Sequence, residues 1–288
     1  MNVCVIGLGL LGGSFSLALK KERTDVYIKG VDINEENGRK AIELDIADTI
    51  VPFEEGISNS DLIVLATPVD VMVQQIIPVL DQIKPDAILT DLGSTKEALC
   101  KRVDGHPKRG RYVAAHPIAG TENSGPEAAF ASLMHHKMMI ICDREKSDAD
   151  AVNHIEDLFK SFKMKIAHMN SREHDRHIAF VSHLSHITSF VLGVTVLDKE
   201  KDERSIFAMA GSGFSSTVRL AKSSPDMWAP IFSQNKKNVL TALEAYISKL
   251  EYFKQVIINN DENASYELMN KANEIRRVLH GIAKHENE

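Results

Sequence analysis

Short apolar runs alternate with amphipathic stretches through the first 170 residues, the pattern of a parallel sheet wrapped by helices. Val3–Ile6, Val26–Val31, Leu62–Ala66, Ala87–Thr90, Tyr112–Ala115 and Met138–Cys142 read as strands. Helical spacing marks Leu10–Lys21, Glu35–Leu44, Val71–Ile83, Lys96–Arg102 and Ala149–Phe162, with Gly, Pro, Asn and Asp at the joints. After Met169 the texture changes. Ile178, Val181, Leu184, Ile187 and Val191 form one stripe of a long helix over Ser171–Leu197. Further helices are predicted over Arg204–Met209, Ser216–Ala221, Met227–Ile258 and Ser265–Ala283, with no further strand. The pattern therefore predicts an α/β domain over 1–168 followed by an all-helical domain over 169–288. A periodic segment as long as 227–258 packs on another chain or spans a domain, so a helical dimer interface is expected.

Composition narrows the class. The chain has 288 residues, 43% hydrophobic and 26% charged, which excludes disordered, collagenous and disulfide-scaffold proteins. Its net charge of −6 offers no global attraction for nucleic acid or an anionic membrane. The first 150 residues carry −7 and the remainder +1, so an anionic substrate would prefer the second half. Cys4, Cys100 and Cys142 are odd in number and lack CxxC spacing, which suits a reducing cytoplasm. Met1–Leu19 lacks the basic start of a signal peptide, and no segment reaches the roughly 18 apolar residues of a spanning helix.

Gly7-Leu8-Gly9-Leu10-Leu11-Gly12 follows the first strand directly and opens a helix. Glycines there let the chain turn sharply and approach a pyrophosphate, while the helix N-terminus offers N–H donors and positive potential. Asp32, at the end of the second strand, can accept from ribose hydroxyls. Strand, fingerprint, helix and acid together predict a Rossmann-like dinucleotide-binding domain, with Gly7, Gly9, Leu10, Leu11, Gly12 and Asp32 around the cofactor. A carboxylate at 32 repels a 2′-phosphate and no Arg follows it, so NAD is favoured over NADP. The other reading of Asp32 is a cap for the next helix. Two more strand ends, Thr67-Pro68 and the turn Asp91-Leu92-Gly93-Ser94-Thr95-Lys96, should face the nicotinamide or the substrate. Thr67 and Ser94 also fit as plain turn and cap residues.

His116 opens the small, polar loop His116-Pro117-Ile118-Ala119-Gly120-Thr121-Glu122-Asn123-Ser124-Gly125 at another strand end. A neutral imidazole there could take a proton from a substrate hydroxyl as hydride leaves the same carbon. His183 and His186 share a helical face, but no third ligand stands at a recognised spacing, so no metal is expected. They suit carboxylate binding or a satisfied place in the core. Arg219 could pair bidentately with a carboxylate or stand as an exposed charge.

Read together, HPIAGTENSG at 116–125, DLGSTK at 91–96, SHLSH at 182–186 and GSGFSSTVRLAKSSPDMW at 211–228 resemble the prephenate/arogenate dehydrogenase family over nearly the whole chain. The resemblance implies a Rossmann-like domain followed by a helical dimerisation domain. It implies NAD-dependent oxidative decarboxylation of prephenate to 4-hydroxyphenylpyruvate in tyrosine biosynthesis. Carried onto matching positions, His116 would polarise or deprotonate the ring C4 hydroxyl and Ser94 would hold that hydroxyl and His116 in register. Arg219 would bind a substrate carboxylate and His186 the pyruvyl side chain, with His183 and Thr121 beside the substrate. Trp228 would reach the site of the neighbouring subunit. Partners are then a small dicarboxylate and a second copy of the chain, with no nucleic acid, membrane or metal.

Ser185 stands where the family commonly has Pro between the two histidines, so a straighter helix is expected there. Retention of His186, which arogenate-specialised members often lack, favours prephenate. Alternatives are an arogenate dehydrogenase forming tyrosine directly, a hydroxy-acid dehydrogenase of similar build, and a non-catalytic NAD-binding regulatory module. Two domains of ordinary size use up the residues, so a monofunctional dehydrogenase is expected.

Overall fold

Eight strands build one sheet, and their period-two burial places a core layer on each face. In β1 (Asn2–Ile6), Val3 and Val5 join one apolar cluster while Cys4 and Ile6 join the other. The structure is a computed structural model and describes residues 1–200 and 206–279. The remaining strands are β2 (Tyr27–Val31), β3 (Thr49–Ile50), β4 (Leu62–Leu65), β5 (Ile88–Asp91), β6 (Tyr112–Pro117), β7 (Met138–Cys142) and β8 (Lys165–Met169). They lie in the order β3-β2-β1-β4-β5-β6-β7-β8. Six helices connect them: α1 (Leu10–Glu22), α2 (Glu35–Glu43), α3 (Phe53–Ser58), α4 (Val69–Gln82), α5 (Glu97–Val103) and α6 (Ala149–Ser161). On one face Phe15 of α1 meets Phe159 of α6 and Phe162 edge-to-face, with centroids 6.0 and 5.7 Å apart. On the other, Met72, Ile76, Val79 and Leu80 of α4 cluster with Ile63 and Leu65.

This is the expected Rossmann-like α/β architecture, with two corrections. The sheet is mixed, because β7 runs antiparallel to β6. A parallel return needs a crossover, usually helical, and the link after Pro117 holds only 3₁₀ turns at Pro126–Ala128 and Ala131–Met134. Two strands also escape the sequence pattern. β3 has only 2 residues, and β8, Lys-Ile-Ala-His-Met, is a partly exposed edge strand without clean alternation.

Beyond β8 the described chain is helical. α7 (Ser171–Ile178), a π-helical turn at Ala179–His183 and α8 (Leu184–Glu200) run on as one helix. The expected straighter helix is therefore corrected: the extra residue of the π turn falls just before the position where Ser185 replaces Pro. It also breaks the predicted stripe, since Ile178 is buried while Val181 and Val191 are 73% and 59% exposed. By length and composition the helix Ser171–Lys199 could cross a membrane, contrary to the expectation that no segment would. Its N-terminal part holds His174, Asp175 and His183 in buried hydrogen bonds, while little of its apolar stretch is fully buried. α9 (Ser212–Val218) and a 3₁₀ turn at Arg219–Lys222 replace the predicted Ser216–Ala221 helix.

The predicted 227–258 helix is two: α10 (Pro225–Gln234) and α11 (Lys236–Ile258). They part at Asn235, whose side chain donates to the Asp175 carbonyl. α12 (Glu262–Asn273) starts earlier than predicted because Asp261 caps it by accepting from Ala264 N–H. Residues 204–205 and 280–283 of the predicted helices lie outside the described residues. By compactness the chain forms two units, Met1–Asn235 and the residues from Lys236 onward.

One buried ion pair ties the middle of the sheet together. Asp91, last in β5, and Lys96 both have 0% exposed side chains and form a direct salt bridge. Lys96 Nζ also donates to the Ala115 carbonyl of β6 at 2.8 Å, and Asp91 accepts from the Tyr112 hydroxyl at 2.7 Å and the Gly93 N–H at 2.9 Å. Burial beside that carboxylate drives the Tyr112 hydroxyl well above its usual pKa, so it remains a donor. Lys96→Met leaves the Asp91 carboxylate enclosed without its counter-charge and should lower the unfolding free energy by about 3–5 kcal/mol in urea titration. The Asp91→Asn, Lys96→Met pair should recover part of that loss, and an unchanged midpoint in the single variant would refute the clamp.

Candidate active site

Gly7 leaves β1 at a φ of 96°, and a Cβ there would stand 2.7 Å from the Ala66 backbone. A Cβ on Gly12 would stand 2.0 Å from the Gly7 oxygen, so only glycine lets α1 start this close to the loop. At Gly9 the opposite holds: nothing lies within 4 Å of a Cβ, and the loop backbone has a clear approach. Gly9 supplies no side-chain cap, and Leu10 and Leu11 open α1, so backbone N–H donors remain for an anion. Asp32 closes this cradle, accepting from Leu8 N–H through Oδ2 and from Asn34 N–H through Oδ1, each at 2.9 Å. The cap of α2 is Asn34, which accepts from the Glu36 and Asn37 amides, so Asp32 is not that helix's cap. Arg39, on the same helix, is held by Glu36 and Glu43. Thr67 donates to Gln75 Oε1 at 2.9 Å, and Pro68 precedes α4. Open backbone and uncapped amides as donors, with a carboxylate that has lone pairs to spare as acceptor, fit a dinucleotide.

Asp91 does not belong with them. Its carboxylate is fully enclosed and engaged by Lys96, Tyr112, Gly93 and Ala115, so its side chain faces into the sheet and not toward the glycine loop. The turn that follows it positions Ser94, half-buried, and Thr95, whose Oγ1 donates to Gln234 Oε1 at 3.2 Å.

His116 lies in β6 near its C-terminal end, buried, with its Nδ1 2.7 Å from His174 Nε2. His174 Nδ1 is in turn 2.8 Å from Asp175 Oδ1. Asp175 also accepts from the Lys96 and Glu97 amides at 2.7 and 3.0 Å, capping α5 from another element because Lys96 provides no side-chain cap. As a carboxylate, Asp175 accepts Nδ1–H of His174. The His174 Nε2 lone pair then accepts Nδ1–H of His116, which leaves His116 Nε2 bearing a lone pair. Desolvation, with the nearby His174, Lys96 and His183, holds His116 well below the usual histidine pKa, so it is neutral. No hydrogen bond joins Ser94 to His116 among the described residues. The partner of His116 is His174, which sequence reasoning missed: an isolated His-Asp pair in a polar helical turn carries no spacing signal.

His183 is fully buried and its Nδ1 lies 3.2 Å from Asn235 Nδ2. That amide nitrogen also donates to the Asp175 carbonyl at 2.7 Å, which fixes it as a donor and puts the His183 proton on Nε2. His183 Nε2 and Trp228 Nε1 are buried without a hydrogen-bond partner among the described residues. His186 donates Nδ1–H to the Ser182 carbonyl at 2.9 Å and stacks on Trp228, with centroids 3.6 Å apart. Trp228 is thus packed against its own chain's histidines, because α10 packs on α4 with Trp228 beside Val69 and Phe232. Arg219 is half-exposed and bridged to Glu122 at 2.9 Å, which brings the 116–125 loop to the Arg219 turn. Thr121 accepts from the Asn123 amide within that loop.

Residues 15–168 match the family model for the nucleotide-binding domain of prephenate dehydrogenase, and residues 170–271 match the model for its dimerization domain. The chain belongs to the prephenate dehydrogenase family. It is 29% identical to the cyclohexadienyl dehydrogenase of Zymomonas mobilis, over 96% of both chains. It is equally similar to the prephenate dehydrogenase of Bacillus subtilis, over 96% of this chain and 76% of that one. Among solved structures, a prephenate dehydrogenase from Aquifex aeolicus, crystallised with hydroxyphenyl propionate and NAD+, superposes with a TM-score of 0.86 at 30% identity, covering 97% and 98% of the two chains. The arogenate dehydrogenase of Synechocystis shares the fold with a TM-score of 0.77 at 24% identity. As a family member the protein is an oxidoreductase with an N-terminal nucleotide-binding domain.

The three cysteines take no part in this site. All are buried outside any disulfide, and desolvation pushes the Cys4 and Cys100 thiols up to about 12.

Acid should weaken this fold through its histidines. Burial lowers His183 to about 4, and it also lowers His116 and His186. Each imidazole stays neutral in the folded chain while the unfolded chain takes up a proton below pH 6.5. Stability is therefore fully present above that pH and falls on acidification. His183 alone should cost up to about 1.4 kcal/mol per pH unit between 6.5 and its folded value. Urea midpoints from pH 7.5 to 4.5 check this, and a His183→Gln variant with an undiminished slope would refute the assignment to that residue.

Proposed function

We propose that the protein catalyses NAD-dependent oxidative decarboxylation of prephenate to 4-hydroxyphenylpyruvate in tyrosine biosynthesis, as a cytoplasmic homodimer. The observation that carries this reading is a neutral His116, oriented by its hydrogen bond to His174, at the same carboxyl end of the sheet as the glycine loop. The Aquifex relative's ligands, NAD+ and an aryl carboxylate, support it. Gly7, Gly9, Leu10, Leu11, Gly12, Asp32, Thr67 and Pro68 would hold the dinucleotide, with the Asp32 carboxylate disfavouring a 2′-phosphate. Bound NAD would supply the hydride acceptor. His116 Nε2 takes the proton of the ring C4 hydroxyl as hydride leaves that carbon. The C1–carboxylate bond then breaks, its electron pair enters the ring, and CO₂ departs. The proton returns from His116 to the ring oxygen, because the net reaction releases none.

Arg219 exchanges Glu122 for a substrate carboxylate, and Ser94 and Thr121 flank the ring hydroxyl. The orphaned N–H donors of His183 and Trp228 suit carbonyl and carboxylate oxygens of the pyruvyl group. His186 Nε2, left as an acceptor, suits the ammonium of arogenate instead, which is the second reading. We place the division between the nucleotide and helical domains at 168/169, supported by the end of β8 at Met169 and by the meeting of the two family models. The apolar residues exposed on α8, Val191, Val194 and Leu197, support a self-association surface.

NADH formation with prephenate and arogenate, each with NAD and NADP, tests the reaction. The largest kcat/KM is expected for prephenate with NAD; faster turnover of arogenate would favour the second reading, and silence in all four assays would overturn both. For Arg219→Ala the expected change is a KM raised roughly tenfold with kcat nearly held. An unchanged KM would remove Arg219 from the substrate site.

A further inference from the structure

The acceptor assigned to the reaction, His116, is one end of a buried chain of three side chains, His116–His174–Asp175, joined at 2.7 and 2.8 Å. All three are buried, and the third is anchored by the Lys96 and Glu97 amides. We propose that His174 and Asp175 are positioning residues for His116: they fix it as the Nδ1–H tautomer and stabilise the imidazolium formed when it takes the substrate proton. This rests on the reading that His116 accepts that proton.

The direction of the chain follows from its anchored end. Asp175 takes two backbone N–H bonds and offers only acceptor atoms, so His174 must point Nδ1–H at it. His174 Nε2 is then an acceptor, and the proton between the two imidazoles belongs to His116 Nδ1. The opposite tautomer of His116 would set two lone pairs against each other at 2.7 Å. Only the first arrangement leaves Nε2 of His116 able to form a bond to hydrogen.

The chain acts on charge and orientation, not as a proton exit. In the reaction the O–H bond of the C4 hydroxyl breaks and a bond to His116 Nε2 forms. The oxygen's electron pair becomes the carbonyl π bond as hydride leaves, and the same proton returns to that oxygen after CO₂ is lost. No proton has to pass beyond His116. What the site must provide is a brief home for positive charge in surroundings that oppose it, since His116 is buried and the Lys96 ammonium, on the turn after β5, lies near it. Asp91 neutralises Lys96 directly, and Asp175 is the carboxylate aligned with His116 through His174. A hydrogen-bonded anion one imidazole away lowers the energy of the imidazolium without ionising the resting state.

Two measurements test the proposal. In the wild-type protein, ¹⁵N NMR of the imidazoles, with His116 assigned through His116→Asn, should show Nδ1 of His116 protonated and Nε2 bare at neutral pH. The reverse tautomer would overturn it. His174→Leu removes both hydrogen bonds and should lower kcat about a hundredfold or more with little change in substrate KM or NAD affinity. His174→Gln, which can donate to Asp175 and accept from His116, should retain most of the lost rate. In His174→Leu the acid limb of kcat/KM should move to lower pH, because the imidazolium loses its acceptor; a limb moving upward would mean that His174 is a competing cation. Equal kcat losses in the Gln and Leu variants, or a folded Leu variant with near-normal kcat, would reject the relay. Near-normal kcat in His116→Asn would instead reject the underlying reading of His116.

Discussion

A lysine and an aspartate with no exposure to water sit where the sheet hands the chain to its functional turns. Enclosing the Asp91–Lys96 pair is costly, and only a full set of hydrogen bonds offsets the cost. Tyr112, Gly93 and the Ala115 backbone complete that set, so the pair fixes the distance between the 91–96 turn and the strand bearing His116. The site is thereby built on the sheet and not on a loose loop. The same enclosure commits the Asp91 carboxylate to four donors within the fold.

Asp175 repeats the device across a longer span of sequence. It caps α5, orients His174 and, through its carbonyl, takes the amide of Asn235. One helical turn therefore fastens α5, the imidazole pair and the end of α10 at a single point. The π turn that follows accommodates this. It turns His183 inward to Asn235, and it sends Val181 and later apolar positions outward. A helix that looks suited to a membrane by composition thus serves a site on one side and keeps an apolar surface on the other, which fits a chain whose C-terminal part matches a dimerization domain.

Much of the fold was legible because it depends on local rules. The β1 run, the glycine fingerprint and Asp32 lie close in sequence, and each has a backbone reason to be there: a positive φ at Gly7, a 2.0 Å approach at Gly12, open space at Gly9. The alternation of strands and helices through Met169 follows from burial on two sheet faces. Where the pattern failed, local information ran out. β3 is too short to have a period, β8 is too exposed to alternate, and the α10–α11 break depends on Asn235 reaching partners 52 and 60 residues away.

The sequence by itself determined the class of fold, the nucleotide loop and the family, because those reside in contiguous motifs whose spacing is their physics. It marked His116, Ser94, His183, His186 and Arg219 as chemical groups but left their states open. Only the tertiary structure decided that His116 is neutral and answers to His174, 58 residues distant, and through it to Asp175, that Asp91 faces inward to Lys96, and that Arg219 rests on Glu122. Protonation and orientation depend on burial and on partners drawn from distant elements, and neither exists until the chain has folded.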